Sequence, residues 1–471
     1  MKIINQHYVN GQFCLSTGTE TMDIINPSDE SLIGKVILGN EQDIEAAIVA
    51  ASAALPSFSQ TSREQRMDYL QRLHNALMER LDDLQEATTT EYGATVQRSR
   101  WSNQYAAETF LYFKDILKDF PFERRIGQSD IALVPVGVTG IMTAWNANSG
   151  SISVKLAAAI AAGCTVVIKP SEMSALQSQV LAECFDRAGL PAGVINMVHG
   201  RGDILGTVLS AHPAVSKILF TGSTTVGKII ARNAIETMKR VTLELSGKSP
   251  NIILDDADLN TAIPMAVNAA FMNSGQACIA GTRLLVPEGA LPEVKNILLK
   301  TMTTQVVGNP KEEHTVIGPM ASKKQFERIQ HYIKLGMDEG AEVLIGGLGK
   351  PDGLLDGFYV KPTIFTGVSN RMTIAQEEIF GPVLAVISYK TEEEAIAIAN
   401  DTPYGLHAYI SSSNMERAQK VAAQINAGRV AINTIYHDAL APFGGFKQSG
   451  VGREGGIYGL EEQLEPKVII S

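Results

Sequence analysis

"TVVIKPSEMSALQSQVLAECFDRAGLPAGVINMV", residues 165–198, reads as strand, helix, strand. The runs "TVVIK" and "VINMV" are short, apolar and rich in β-branched residues, as a strand buried on both faces requires. Between them the pattern is helical, and it stops at Gly189 and Pro191: the glycine supplies a left-handed cap and the proline prevents continuation. Two apolar strands joined by a helix pair in parallel, because a crossover returns the chain to the same edge of the sheet.

The same alternation extends both ways. "IALVPVGVTGIMTAW" (131–145) and "VKLAAAIAAG" (154–163) precede it; "ILGTVLSAH" (204–212), "KILFTG" (217–222), "VGKIIARNA" (226–234) and "VTLEL" (241–245) follow. This predicts an α/β, nucleotide-type domain. A second series from "NIILDDADLNTAIPMAVNAAFMNSG" (251–275) to about residue 435 predicts a second α/β domain. Upstream, "YVNGQF" (8–13) carries the Asn-Gly of a tight hairpin. Residues 41–55 and 63–93 repeat apolar positions at helical spacing. "RRIGQSDIALVPV" (124–136) reads as a protruding β segment, and the final "KVIIS" is too apolar for a free tail, which suggests pairing between subunits.

With 471 residues and 45% hydrophobic composition the chain can bury more than one core. Its net charge of -10 with no basic block argues against a nucleic acid or membrane-surface partner, and no apolar run approaches a membrane span. A soluble cytoplasmic protein with a small-molecule substrate is expected. Cys14, Cys164, Cys184 and Cys278 show no metal-ligand or disulfide spacing, so reduced thiols and no metal are expected, with the first three as small core residues.

Cys278 differs. It lies in "NSGQACIAGT" (273–282), where small neighbours let backbone amides and a substrate approach the sulfur. In "VTLELSGKSPN" (241–251) an otherwise apolar strand carries one carboxylate, Glu244, which in a dry cleft could act as a general base for water. "KILFTGSTTVGKII" places Gly222 and Ser223 before a helix whose free amides would attract phosphate, and "HGRGDILGTVL" spaces Gly200, Gly202 and Gly206 in a second glycine-rich turn. "VVIKPSE" sets Lys169 and Glu172 at the carboxyl end of a parallel strand, where ligands bind in open α/β sheets; Glu172 could hold ribose hydroxyls and repel a 2′-phosphate. "TAWNANSG" places the Asn146 amide, an oxyanion donor, at another strand end.

Taken together, "LELSGKSP", "FMNSGQACIAGT", "INPSDESLIGKV", "EEIFGPV", "NDTPYGL" and "PFGGFKQSGVGREGG" resemble, in order and over nearly the whole chain, the motifs of the aldehyde dehydrogenase superfamily. The resemblance implies a Rossmann-like NAD-binding domain from 1–115 and 135–245, a catalytic domain from 246–445, and a small β oligomerisation element from 116–134 and 456–471. It implies NAD, with NADP also open, a homodimer or homotetramer, and oxidation of an aldehyde to a carboxylic acid. Cys278 would be the nucleophile, Glu244 the base, and Asn146 with the Cys278 amide the oxyanion hole. Lys169, counted with the catalytic set, and Glu172 would hold the adenosine ribose, Ser223 the pyrophosphate, and Glu378 and Phe380 the nicotinamide half. Thr143, Trp145, Gly202, Gly206, Thr221, Gly222 and Leu245 would complete the cofactor surface.

By the same resemblance the aldehyde tunnel would take Ala147, Ser151, Val154, Ala277, Ile279, His437 and Phe443. "ANSGSISV" is small and polar where many relatives are bulky, which predicts a wider or wetter tunnel. The chain departs from the family pattern at Ala144, where many relatives have proline, and at Gln463, where an aromatic residue is expected at the oligomer contact. Arg283 is discounted as a carboxylate binder. Transfer of the acyl group to coenzyme A and a catalytically silent binding protein of the same fold are the alternatives; Glu244 argues against the first and the intact catalytic set against the second.

Overall fold

The computed structural model describes residues 2–470. Val138–Met142, Val166–Lys169, Ile195–Met197, Val215–Thr221 and Arg240–Glu244 are parallel neighbours in an eight-stranded sheet. Numbered along the chain, these five strands lie in the order 3-2-1-4-5, the Rossmann arrangement. Its order reverses between Val138–Met142 and Val215–Thr221, and the crevice beyond their carboxyl ends is where such sheets bind ligands. The hairpin Gln6–Val9 and Gln12–Leu15 extends one edge of this sheet, and Gly450–Val451 closes the other, antiparallel to the Glu244 strand.

Helices cover both faces. Asn148–Ala162 and Ala175–Ala188 are buried through most of their length, with Val96–Asp119 packed across the first of them. Gly189 caps Ala175–Ala188 with φ 62°, as its sequence predicts. The 63–93 pattern is not one helix: Arg63–Glu79 ends at Arg80, Leu81–Ala87 follows, and Thr88–Tyr92 widens into a π turn. That widening accompanies burial of Glu91, whose carboxylate accepts the Leu176 and Gln177 amides at the start of the helix Ala175–Ala188. The run 131–145 also divides, at Gly137, into Ser129–Pro135 and Val138–Met142, which belong to different sheets.

A seven-stranded sheet spans Pro250–Ile253 to Arg429–Ile432 in sequence and is parallel except at its Glu342–Ile345 edge. Leu259–Phe271 and Leu291–Met302 pack together over one face of it. Ser129–Pro135 pairs with Glu123–Ile126 and with the C-terminal strand Leu464–Ile469 in a separate three-stranded sheet, on which Ile126, Val468 and Ile469 are exposed. Leu464–Ile469 therefore finds its strand partner within the same chain. Gln463 is buried: its Oε1 accepts Thr139 Oγ1 at 3.3 Å and its carbonyl accepts the Val136 amide. The expected aromatic position is thus filled by an amide satisfied inside the subunit, not by a surface contact. Among the described residues no helix is long and apolar enough to cross a membrane.

Candidate active site

The helix Leu259–Phe271 delivers the cysteine loop and then stops abruptly, because Asn273, Ser274 and Gly275 all adopt left-handed backbone angles, with φ 53°, 58° and 74°. Two of the three carry a Cβ, at a cost of roughly 1–2 kcal/mol each. Side-chain and backbone hydrogen bonds hold the turn. Asn273 Nδ2 donates to the carbonyls of Asn146 and Gln276, both at 3.1 Å, and Ser274 Oγ accepts the Gly318 amide at 2.9 Å. A Cβ on Gly275 would stand 2.2 Å from the carbonyl carbon of Gly381, so "NSGQAC" and "EEIFGPV" touch backbone to backbone. Likewise a Cβ on Gly247 would stand 2.3 Å from the Cys278 carbonyl oxygen. The loop leaving Glu244 is thereby pressed against the cysteine, which is why "LSGKSP" needs its glycine.

Glu244 ends its strand opposite Thr221 on one side and Gly450 on the other. It is only 4% exposed, and its Oε1 has no partner among the described residues. Burial, then the nearby Glu454 carboxylate, push its carboxyl up to about 8, against the opposing pull of Lys155 and the neighbouring Cys278 thiol. The thiol is raised well above its ordinary value by burial and by the charges of Glu244 and Glu378. Both groups therefore hold their protons at pH 7 in the cofactor-free protein.

Lys155 and Glu454 did not stand out in the sequence. Lys155 Nζ lies 2.9 Å from Glu454 Oε1, 2.7 Å from Thr221 Oγ1 and 3.1 Å from Ser151 Oγ. The available signal was a single charge in the otherwise small and apolar helix "SVKLAAAIAA", which a buried position has to neutralise. Asn273, which ties Asn146 to the cysteine loop, was also missed; an asparagine just after a helix passes for an ordinary cap.

Asn146 follows the strand Val138–Met142, and its Nδ2 donates to the Gln276 carbonyl at 3.0 Å, two residues from the cysteine. Beside it Trp145 meets Phe380 edge to face at 5.3 Å and Tyr92 at 5.7 Å. The structure thus brings Cys278, Glu244, Asn146, Trp145, Phe380 and Glu378 into one neighbourhood; Glu378 Oε1 accepts the Gly247 amide at 3.0 Å.

Lys169 sits farther along the sheet, its Nζ 2.8 Å from Glu172 Oε2, an ion pair that helps hold Glu172 below the usual carboxylate range despite its partial burial. A Cβ on Gly202, at the start of the helix Gly202–Ala211, would come 3.5 Å from that Nζ, and one on Gly206 would come 3.3 Å from Met142 Sδ. Thr143 Oγ1 is buried without a partner. Ser223 caps the helix Thr224–Ile235, but the Gly222 amide is not free: it donates to the Glu244 carbonyl at 3.1 Å. Gly222 therefore locks the two strand ends together instead of presenting a donor. Leu245 is buried against Gly227 of that helix.

Of the expected tunnel residues, Ala147 borders a small cavity with Asn146 and Gly150. His437 and Phe443 stand face to edge at 6.1 Å, with Tyr105 Oη 3.3 Å from His437 Nε2. Burial and neighbouring arginines lower His437 to about 4, so it is neutral at pH 7. Part of the width left by "ANSGSISV" is taken by Tyr105, whose ring lies 3.5 Å from a Cβ built on Gly150. Ser151 turns its hydroxyl to Lys155 and Thr221, and Val154 packs against the core. Ala277 and Ile279 flank the cysteine half-buried, Ile279 accepting Tyr409 Oη at 3.0 Å. Arg283 is fully buried and donates to the carbonyls of Lys248, Ile398 and Ala399 and to Asn370, so it supports the fold.

The chain is 44% identical, over 100% of its length and 99% of the relative's, to a 3-succinoylsemialdehyde-pyridine dehydrogenase of a Pseudomonas species. A variant of aldehyde dehydrogenase C from Pseudomonas syringae, solved with NAD+ and octanal, superposes with a TM-score of 0.98 at 43% identity, covering 99% of this chain and 96% of that one. Betaine aldehyde dehydrogenase from Staphylococcus aureus, solved with NAD+, superposes with a TM-score of 0.95 at 37% identity, covering 99% and 94%. Residues 13–469 match the profile of the aldehyde dehydrogenase family. Likeness of this extent, in sequence and fold alike, identifies the protein as a member of the aldehyde dehydrogenase family.

Proposed function

We propose that the protein oxidises an aldehyde to a carboxylic acid with NAD, the eight-stranded sheet and its helices binding the cofactor and the seven-stranded sheet presenting the cysteine. The observation that carries this reading is the closeness of the Cys278 thiol to the buried Glu244 carboxyl, beside the Asn146 carboxamide and beyond the carboxyl ends of the strands of a Rossmann sheet. The residues present fit a dinucleotide: an unpartnered Thr143 hydroxyl, an Nζ facing a glycine helix start, and an aromatic pair with a carboxylate near the cysteine. Lys169 and Glu172 would hold the adenosine ribose, Ser223 and the Gly202 turn would face the phosphates, and Trp145, Phe380 and Glu378 would hold the nicotinamide half. The ionised Glu172 favours NAD over NADP by repelling a 2′-phosphate.

Glu244, once ionised, takes the Sγ proton, and Cys278 adds to the aldehyde carbon to give a thiohemiacetal. The developing oxyanion lies toward Asn146 Nδ2 and the Cys278 amide, donors set in place by the interlocked Asn273 and Gln276. NAD, when bound, accepts the hydride that leaves this carbon. Glu244 passes that first proton to solvent and, ionised again, removes a proton from water as it attacks the thioester; the thiolate leaves, acid is released and the second proton returns to sulfur. The aldehyde would enter past Ala147, Ala277, Ile279, His437 and Phe443.

Four unpaired cysteines fit a reducing, cytoplasmic setting, and the exposed Ile126, Val468 and Ile469 suit the three-stranded sheet to joining subunits as a homodimer or homotetramer. The test is purified protein with NAD and a panel of aldehydes, followed by product analysis. NADH with free acid supports the reading; an acyl-CoA made only when coenzyme A is added, or no NADH from any aldehyde, would replace it.

A further inference from the structure

The helix Val96–Asp119 faces the tunnel with Arg98, Trp101, Ser102 and Tyr105. Trp101 and Tyr105 are stacked at 5.5 Å with 5° between their rings, and both meet His437 edge on. The Arg98 guanidinium lies 4.4 Å over the Trp101 ring. It borders two small cavities on either side of Asn273, one of them shared with Asn146 and Ala147. Its positive charge reaches Cys278, Tyr92 and His437.

This guanidinium makes no hydrogen bond or ion pair with any described residue. Both cavities around it are lined by Thr, Tyr, Ala, Arg, Ser, Asn, Gly, Gln, Phe, Met and Val, with no carboxylate among them. The other cation of the wall is satisfied: Arg429 donates to the carbonyls of Pro442, Asp438 and Ala441 and contacts His437. A half-buried guanidinium with five donors and no acceptor is a site waiting for a planar anion, which it meets with two parallel hydrogen bonds. The stacked indole and phenol beside it offer a flat body a face.

We propose that Arg98 is a specificity-determining residue and that the preferred aldehydes carry a carboxylate, paired with the Arg98 guanidinium while the remainder of the substrate lies along Trp101 and Tyr105. This rests on the reading of the protein as an aldehyde dehydrogenase and names its substrate class. Neutral aldehydes reach Cys278 by the same route but leave the guanidinium without its partner.

The experiment compares matched pairs, 4-carboxybenzaldehyde with 4-methylbenzaldehyde and glutaric semialdehyde with pentanal, by NADH formation. The readout is the ratio of kcat/KM for the acid-bearing member to that for the neutral one. In the wild type the ratio exceeds one for at least one pair and falls as salt is raised. Arg98→Gln lowers it about 10- to 100-fold, mainly through KM of the acid-bearing aldehyde, in line with loss of a charge-assisted bidentate contact. Arg98→Lys, which keeps the charge and loses the fork, gives an intermediate ratio, and supplies the comparison should Arg98→Gln not fold. A wild-type ratio below one for both pairs, or a ratio unmoved by either substitution, overturns the proposal. NADH from the neutral aldehydes alone would leave the dehydrogenase reading standing while this inference fails; no NADH from any of the four would count against both.

Discussion

Glu454→Gln tests the electrostatics of the site most directly. Glu244 titrates at about 8, and Glu454 is the largest charge raising it after burial itself. Because a base acts only when ionised, the activity carried by Glu244 is present above that value and lost as pH falls through it. At pH 7 about one tenth of the groups are ionised and at pH 9 about nine tenths, so kcat should climb nearly tenfold between the two. At an effective dielectric constant of about 20, neighbouring carboxylates repel by about 1–3 kcal/mol, on the order of one to two pKa units. Lys155, 2.9 Å from Glu454, already cancels part of this, so its removal should lower Glu244 by about one unit. A neutral amide in place of Glu454 still accepts from Lys155 Nζ and limits structural loss. The acid limb of kcat should move down by about one pH unit, and the rate at pH 7 should rise about fivefold. The assay is steady-state NADH formation at saturating aldehyde and NAD from pH 6 to 9.5. An unmoved limb in a folded variant with wild-type kcat at pH 9 would refute this account of how the base is tuned.

Cys278→Ala should abolish turnover while NAD still binds, measured by NADH formation and by quenching of Trp145 fluorescence or calorimetry. Glu244→Gln should lower the steady rate about 10²- to 10⁴-fold, with a burst of NADH that rises more slowly than in the wild type and quickens with pH, since both the thiol and the hydrolytic water lack their base. It should also melt higher than the wild type at pH 8.5: a carboxyl whose folded-state value is raised from 4.5 to about 8 destabilises the fold as pH rises through that interval. Gly247→Ala, whose new methyl would meet the Cys278 carbonyl oxygen at 2.3 Å, should lower activity at least 100-fold with a smaller change in melting temperature, because the displaced backbone carries the nucleophile.

The fold was legible in the sequence wherever periodicity alone decides it. The runs around Val166 and Ile195 and the helix stop at Gly189 became the parallel strands and capped helix they describe. Where the helical pattern of 63–93 concealed two breaks, tertiary demand intervened: Glu91 had to reach the Leu176 and Gln177 amides, and a π turn is what carries it there. Cys278, Glu244 and Asn146 could be singled out because each is chemically out of place in its local run. Lys155 and Glu454 escaped because a charge is anomalous only once its burial is known, and burial of the pair depends on the helix Asn148–Ala162 meeting the C-terminal segment, 299 residues apart in sequence.

The resting state of the pair follows from the same burial. Desolvation raises both the thiol and the carboxyl, so each favours the neutral form in the cofactor-free protein, and neither a reactive thiolate nor a second buried charge beside Glu454 has to be tolerated. Moving one proton out of this pair is then the event that makes the site reactive, and it is favoured by whatever positive charge enters near Cys278. Arg98 and Lys155 supply fixed positive charge nearby, the first acting on the thiol and the second on the carboxyl. The left-handed run Asn273–Gly275 has to be stiff for this to work, because a thiol free to swing away from Glu244 would lose the base that takes its proton. Its backbone strain is therefore matched to the chemistry: the hydrogen bonds of Asn273 and Ser274 that offset it are also the ones that fix the oxyanion donors.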